Sequence, residues 1–201
     1  FLGLIWMGGI PIAVSPRTDI SLIRDLIVDS GASALLLEDA AAAAVGDTRA
    51  TGRSAWRQQL EASPATAILH QAEEDAPAFW LYSSGSTGRP KTVMDSHRNV
   101  LDNIHRYTET LAIGPDDRLS LLQTITFSGA VSSLFAALVT GACVFPLDLR
   151  RDRVAAVRAS IRDERLTMLH VVPALFRLLA DGDARFDDLR VVRLEGDAAA
   201  W

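Results

Sequence analysis

The sequence predicts an α/β protein in which largely parallel sheets carry helices on their faces. Two observations carry that prediction. Short apolar strand-like runs are separated by segments of helical length, which implies right-handed βαβ crossovers. The runs within Leu119–Leu147 are also continuously apolar, as strands covered on both faces must be.

Taken in order, the opening stretch FLGLIWMGGIPIAV lacks the basic start of a signal peptide. Gly8, Gly9 and Pro11 interrupt it before the roughly 20 apolar residues that a membrane helix needs. Ile20–Asp29 carries Leu22, Ile23, Leu26 and Ile27 at helical spacing, with Thr18 or Asp19 as cap and Gly31 as stop. Ala34–Leu37 reads as a short buried strand. Glu38 to Ala78 is Ala-rich and polar without a sustained period, and is read as a surface excursion with some helix. Phe79–Tyr82 is a strand feeding a Gly/Ser loop, and Lys91–Asp95 is extended. Ser96 can cap a helix whose inner face is Val100, Ile104, Tyr107 and Leu111.

The alternation then repeats. Gly114–Asp117 makes a turn before a strand at Leu119–Leu122. Gly129–Val139 is an apolar helix closed by Gly141, and Ala142–Leu147 is the next strand. Arg153–Arg165 is an amphipathic helix, followed by strand Met168–Val172, helix Ala174–Ala180 and strand Leu189–Leu194.

Composition narrows the function classes. The chain has 201 residues, 49% hydrophobic and 22% charged, with a net charge of −5. A pI of about 5.3 gives no basic surface for nucleic acid. Cys143 is the single cysteine, so no internal disulfide forms, and its apolar neighbours read it as a buried small hydrophobe. The uncharged span Leu119–Leu147 is long enough to cross a bilayer. Its polar breaks at Gln123, Thr124, Thr126, Ser128 and Gly141 favour strand, turn and buried helix instead. No membrane partner is expected, and the expected compartment is the cytoplasm.

The chemistry concentrates between Tyr82 and Lys91, in YSSGSTGRPK. Gly85 and Gly88 permit positive φ and let backbone approach a ligand closely. The hydroxyls of Ser83, Ser84, Ser86 and Thr87 can donate to phosphate oxygens. Lys91 adds a charge-assisted contact worth roughly 1.5–3 kcal/mol. The segment follows a strand, where open α/β sheets bind ligands. It is not a Walker loop, since Pro90 precedes Lys91 and Thr92 follows, nor is it G-x-G-x-x-G.

YSSGSTGRPKTV resembles the signature loop of the adenylate-forming superfamily, which includes acyl-CoA synthetases, luciferases and the adenylation domains of nonribosomal peptide synthetases. Other stretches resemble family segments in the same order. They are Trp6–Asp19 (WMGGIPIAVSPRTD), Ser96–Val100 (SHRNV), Thr126–Val144 (TFSGAVSSLFAALVTGACV), His170–Leu179 (HVVPALFRLL) and Leu189–Ala198 (LRVVRLEGDA). The resemblance implies an incomplete acetyl-CoA synthetase-like N-terminal domain over residues 1–201. Residues 1–95 would form a first βα portion with the phosphate loop, and 96–201 a second. The C-terminal domain, with its catalytic Lys, and the magnesium-binding Glu are expected beyond Trp201.

The implied reaction has two steps. A carboxylic acid is activated by ATP with Mg2+ as its acyl-adenylate, and a thiol of CoA or of a carrier protein's phosphopantetheine then takes the acyl group. Ser83, Ser84, Gly85, Ser86, Thr87, Gly88 and Lys91 carry over to the phosphates, with Thr87 and Lys91 closest to the chemistry. Gly196, Asp197 and Ala198 carry over to the adenine, and Thr126, Phe127 and Ser128 to the acid pocket. No residue of the chain carries over as a metal ligand.

Three departures qualify the resemblance. Thr92 stands where the family has Gly, and Asp197 where it has Glu. Ser128 stands where amino-acid-activating domains carry an Asp that pairs with the substrate's α-ammonium, and an unpaired buried cation is costly. An acid without an α-amine, or an atypical peptide-synthetase-like member, is expected. His97 and His170 are read as structural, having no cysteine, serine or carboxylate at telling spacing. A rival reading is a truncated nucleotide-binding or scaffold module without catalysis. Another is an unrelated phosphotransferase, for which Asp95, read as solvated at a strand end, would be the nearby carboxylate.

Overall fold

The computed structural model describes residues 1–64, 69–83, 91–149, 151–182 and 185–196. It divides into two compact units, Phe1–Gln71 and Ala72–Trp201.

The first unit opens with a short helix α1 (Leu2–Trp6) and the amphipathic α2 (Ile20–Ser30). Asp19 caps α2, its carboxylate accepting the Ser21 N–H at 2.8 Å. Gly31 ends it in the left-handed conformation, φ 62°. Strand β1 (Leu35–Leu37) pairs in parallel with β2 (Ala50–Gly52), and α3 (Asp39–Val45) connects them. A further helix α4 (Arg53–Ala62) follows. Ile23, Ile27, Leu35 and Val45 form the core of this unit. The stretch after Glu38 is therefore more than a surface excursion. Its elements are hidden from periodicity because α3 rests on alanine propensity and buries only Val45, while β2 is Ala-Thr-Gly and is held by backbone pairing.

The second unit begins with β3 (Pro77–Ser83) and β4 (Lys91–Ser96), an antiparallel pair. This pairing departs from the parallel expectation, since adjacent strands joined by a short segment can pair directly. Ser96 caps α5 (His97–Thr110) by accepting the Asn99 N–H at 3.2 Å, and Val100, Ile104 and Tyr107 are its buried face. Then come β5 (Arg118–Leu121), α6 (Ser128–Thr140), β6 (Cys143–Pro146), α7 (Val154–Asp163), β7 (Met168–Val171), α8 (Pro173–Ala180) and β8 (Val191–Leu194). The last four strands form one parallel sheet in the order β6-β5-β7-β8.

Side-chain alternation sorts the two faces of that sheet. Leu119 of β5 and Met168 of β7 pack with Tyr107, Ala136 and Ala137 of α5 and α6. Leu169 and Val171 pack on the other face with Val157, Ile161 and Leu179 of α7 and α8. Helices on both faces, with β5 and β7 central, confirm the predicted α/β class. One detail is corrected. β6 is an edge strand of this sheet among the described strands, and Cys143, its first residue, is exposed rather than buried.

The amino end of the sheet is closed by a charged clamp. Arg190, just before β8, donates from Nε to Asp117 Oδ1 at 2.8 Å and from Nη2 to Oδ2 at 2.6 Å. It also reaches the carbonyls of Leu111 and Ala112, at 2.8 and 2.9 Å. Thr167 Oγ1 and the Gly114 N–H donate to the same carboxylate, at 2.6 and 2.9 Å. These bonds hold the pKa of Asp117, which is buried, down at about 2, with Arg190 the largest cause.

Candidate functional site

In this sheet the connection leaving β5 runs towards β6 and the one leaving β7 runs towards β8. The crevice between β5 and β7, outside their carboxyl ends, is the switch point where open parallel sheets take ligands. The chain sends three segments there: Gln123 to Ser128 after β5, Val172 after β7, and Glu195 with Gly196 after β8.

The residues expected to bind the acid lie in the first segment. Thr126 shares a hydroxyl hydrogen bond with Thr124, and Phe127 stands at the N-cap of α6 and is 62% exposed. Ser128, the first residue of α6, is exposed. Phe127 supplies no side-chain cap, so only its carbonyl receives N–H groups, from Ala130 and Val131. Gly196 has φ 102°, a backbone state that L side chains rarely adopt, and a Cβ there would lie 3.4 Å from Val172.

Of the expected phosphate ligands, Ser83 closes β3 and Lys91 opens β4, facing one another in register across the hairpin. Ser84, Gly85, Ser86, Thr87 and Gly88 lie outside the described residues, as do Asp197 and Ala198. Asp95 sits within β4 opposite Phe79, half-buried rather than solvated, and loss of hydration pushes its carboxyl up. Among the described residues no three of His, Cys, Asp and Glu group to hold a metal ion. No helix among them is long and apolar enough to cross a membrane.

A polar ring near the carboxyl edge includes Glu195 of the third segment and was not legible in spacing. His170, 5% exposed, faces α6 from β7. Its Nε2 lies 2.9 Å from Glu195 Oε2, and its Nδ1 3.2 Å from Ser133 Oγ. A carboxylate only accepts, so Nε2 carries the proton and Nδ1 accepts from the serine. Burial, followed by the nearby Arg193 charge, pushes the His170 pKa down and keeps the ring neutral. Arg193 Nη2 meets the same Glu195 oxygen at 3.1 Å, and its guanidinium lies 4.8 Å from the Tyr107 ring centroid. Sequence spacing hid this ring because its members come from α5, α6, β7 and β8.

Gly129 is the close-approach point of the site. A Cβ there would sit 2.4 Å from Gln123 Oε1 and 2.7 Å from His170 Cε1. Gln123 can swing away, but the His170 ring is held from both nitrogens. Gly129→Ala is expected to destabilise the protein by about 1–3 kcal/mol, read from the urea midpoint. An unchanged midpoint would contradict the packing.

An open doubly wound sheet, preceded by an antiparallel strand pair that flanks a hydroxyl- and glycine-rich stretch of sequence, defines an α/β protein of the class that takes ligands at the carboxyl edge of its sheet. The sequence model of the AMP-binding enzyme family matches residues 1–199, and the chain belongs to that family. It is 28% identical to tyrocidine synthase 3 of Brevibacillus parabrevis, over 98% of this chain and 3% of that protein. Against gramicidin S synthase 2 of Brevibacillus brevis the identity is also 28%, over 94% of this chain and 4% of that protein. The chain thus spans a small part of the length of these relatives. Among solved structures, the AMPPNP-bound nonribosomal peptide synthetase FmoA3 aligns with a TM-score of 0.81 at 25% identity, covering 97% of this chain and 21% of that one. The N-terminal domain of FACL13 from Mycobacterium tuberculosis shares the fold, with a TM-score of 0.79 at 20% identity over 92% of this chain and 50% of that one.

Proposed function

We propose that this chain carries part of the ATP site of an enzyme that activates a carboxylic acid as its acyl-adenylate. What carries this reading is the string YSSGSTGRPK, set between β3 and β4 in a chain that matches the AMP-binding enzyme family over residues 1–199. A carboxylate oxygen attacks the α-phosphorus of ATP, the bond to the β-phosphate oxygen breaks, and pyrophosphate leaves. Ser83, Ser84, Gly85, Ser86, Thr87, Gly88 and Lys91 hold the β- and γ-phosphates and offset the charge that builds on them. Gly196, Asp197 and Ala198 border the adenine, and Thr126, Phe127 and Ser128 the acid. None of these residues is assigned to the magnesium ion that accompanies ATP.

In the complete protein the acyl group then passes to a thiol, of CoA or of a phosphopantetheinyl carrier protein. The similarity to a nonribosomal peptide synthetase and to the two peptide synthases favours the carrier protein. The compartment is the cytoplasm, where ATP is supplied.

The test is product analysis with a panel of carboxylic acids. Acid-dependent formation of AMP and pyrophosphate is expected, and ADP with phosphate would contradict it. ATP binding without turnover in the complete protein would favour the nucleotide-binding scaffold instead. The 201 residues alone are expected to form no AMP, and turnover by them would show that further residues are dispensable.

A further inference from the structure

We propose that Lys91 is an acylation site at which an activated acyl group, an acyl-adenylate or an acyl thioester, switches the ATP site off. This rests on the adenylation reading above and adds a regulation to that same site.

The first support is composition. The chain has 20 basic side chains, of which 19 are arginines and Lys91 is the single lysine. Arginine serves the ion pairs with Asp47, Asp117 and Asp188. A guanidinium stays protonated and does not accept an acyl group, whereas a lysine amine that sheds its proton does. An enzyme that makes activated acyl groups is therefore inert to them at every basic side chain of these 201 residues except Lys91.

The second support is place. Lys91 opens β4 opposite Ser83 of β3 and is exposed, as are Thr92, Val93 and Met94 after it. A donor reaches it from solvent. The hydroxyl- and glycine-rich string runs between Ser83 and Lys91 in sequence, so an acyl group on Lys91 falls on the phosphate site of the adenylation reading.

The third support is charge. The ammonium first gives a proton to water, and the amine nitrogen then attacks the acyl carbon. A C–N bond forms, and AMP or the thiolate leaves with the electron pair of the broken C–O or C–S bond. A second proton passes from nitrogen to water, leaving a neutral amide. The modified side chain no longer offsets charge on the β- and γ-phosphates. Arg98, the next arginine along the chain, is engaged by Glu74 and Asp75, both at 2.7 Å, and does not replace it.

The experiment treats the complete protein with synthetic acetyl-adenylate in one arm and acetyl-CoA in the other. Acetylated lysines are mapped by peptide mass spectrometry, and acid-dependent ATP–pyrophosphate exchange is followed alongside. Lys91 is expected to be acetylated in at least one arm, which identifies the donor. ATP at about ten times its Kd should slow that acetylation about tenfold by occupying the site. Exchange should fall with Lys91 occupancy, by about 10²-fold when modification is complete. Lys91→Arg, which keeps the charge and cannot be acylated, should hold its own lower rate through the same treatment. An unmodified Lys91 in both arms, acetylation that ATP does not slow, or full acetylation without loss of exchange overturns the proposal. Exchange by the untreated protein with no acid at all overturns the adenylation reading itself, while the mapping still reports on Lys91, so the two failures stay apart.

Discussion

Lys91→Ala is expected to lower kcat/KM for ATP in acid-dependent exchange by about 10²–10³-fold, the usual loss when one placed donor to a developing charge is removed. Lys91 opens β4 opposite Ser83, so the hairpin register fixes its backbone while the side chain stays exposed. A positive charge at that point weakens the phosphate charge before and during pyrophosphate departure, so kcat and KM for ATP should both suffer. Because the residue is exposed, the thermal midpoint should hold. Lys91→Arg should recover part of the loss, since it keeps the charge but spreads it over a planar group. A Lys91→Ala enzyme within about threefold of wild type would remove this residue from the phosphate site.

Arg190→Ala is expected to cost about 3 kcal/mol of folding stability, read by urea denaturation, with little effect on the chemistry. Asp117 is buried while the Arg190 side chain keeps 38% exposure, so removing the arginine leaves a buried carboxylate without its main partner. Here the loss would strand Asp117, and the carbonyls of Leu111 and Ala112 would each lose a donor. The same clamp gives a pH signature. The Asp117 carboxyl titrates at about 2 in the folded chain against an ordinary 3.8. A depressed folded pKa stabilises above the unfolded value, and that stability is lost as pH falls from about 4 towards 2. The linked contribution is about 2 kcal/mol. Asp117→Asn should therefore lose most relative to wild type at neutral pH, and the gap should close on acidification through that window. A gap that stays constant from about pH 6 to about pH 2.5 would contradict the assignment.

What could be read in the sequence was mostly local. Asp19 and Ser96 mark helix starts with side chains that do accept the expected N–H groups, and Gly31 and Gly141 mark ends with positive φ. Apolar-rich runs marked the strands of the four-stranded sheet, although Ser120, His170 and Arg193 lie within them. Pairings between distant residues left no such mark. β2 carries no apolar signature, and the direction in which β4 meets β3 is a tertiary choice. The partners of His170 could not be read because Ser133 and Glu195 lie far from it in sequence, although alternation in β7 does turn it, like Met168, towards α6. Cys143 was misread because an apolar run does not tell an edge strand from a central one. In the loop the pattern of hydroxyls, glycines and Lys91 pointed to phosphate; its members between Ser83 and Lys91 stand on sequence and family alone.

The most direct measurement is incorporation of labelled pyrophosphate into ATP by the complete protein, with and without a carboxylic acid. An adenylate-forming enzyme must return label to ATP only when its acid is present, because the acyl-adenylate is the species that pyrophosphate attacks. Acid-dependent labelling is the predicted result. Tight ATP binding with no labelling for any acid would contradict the account.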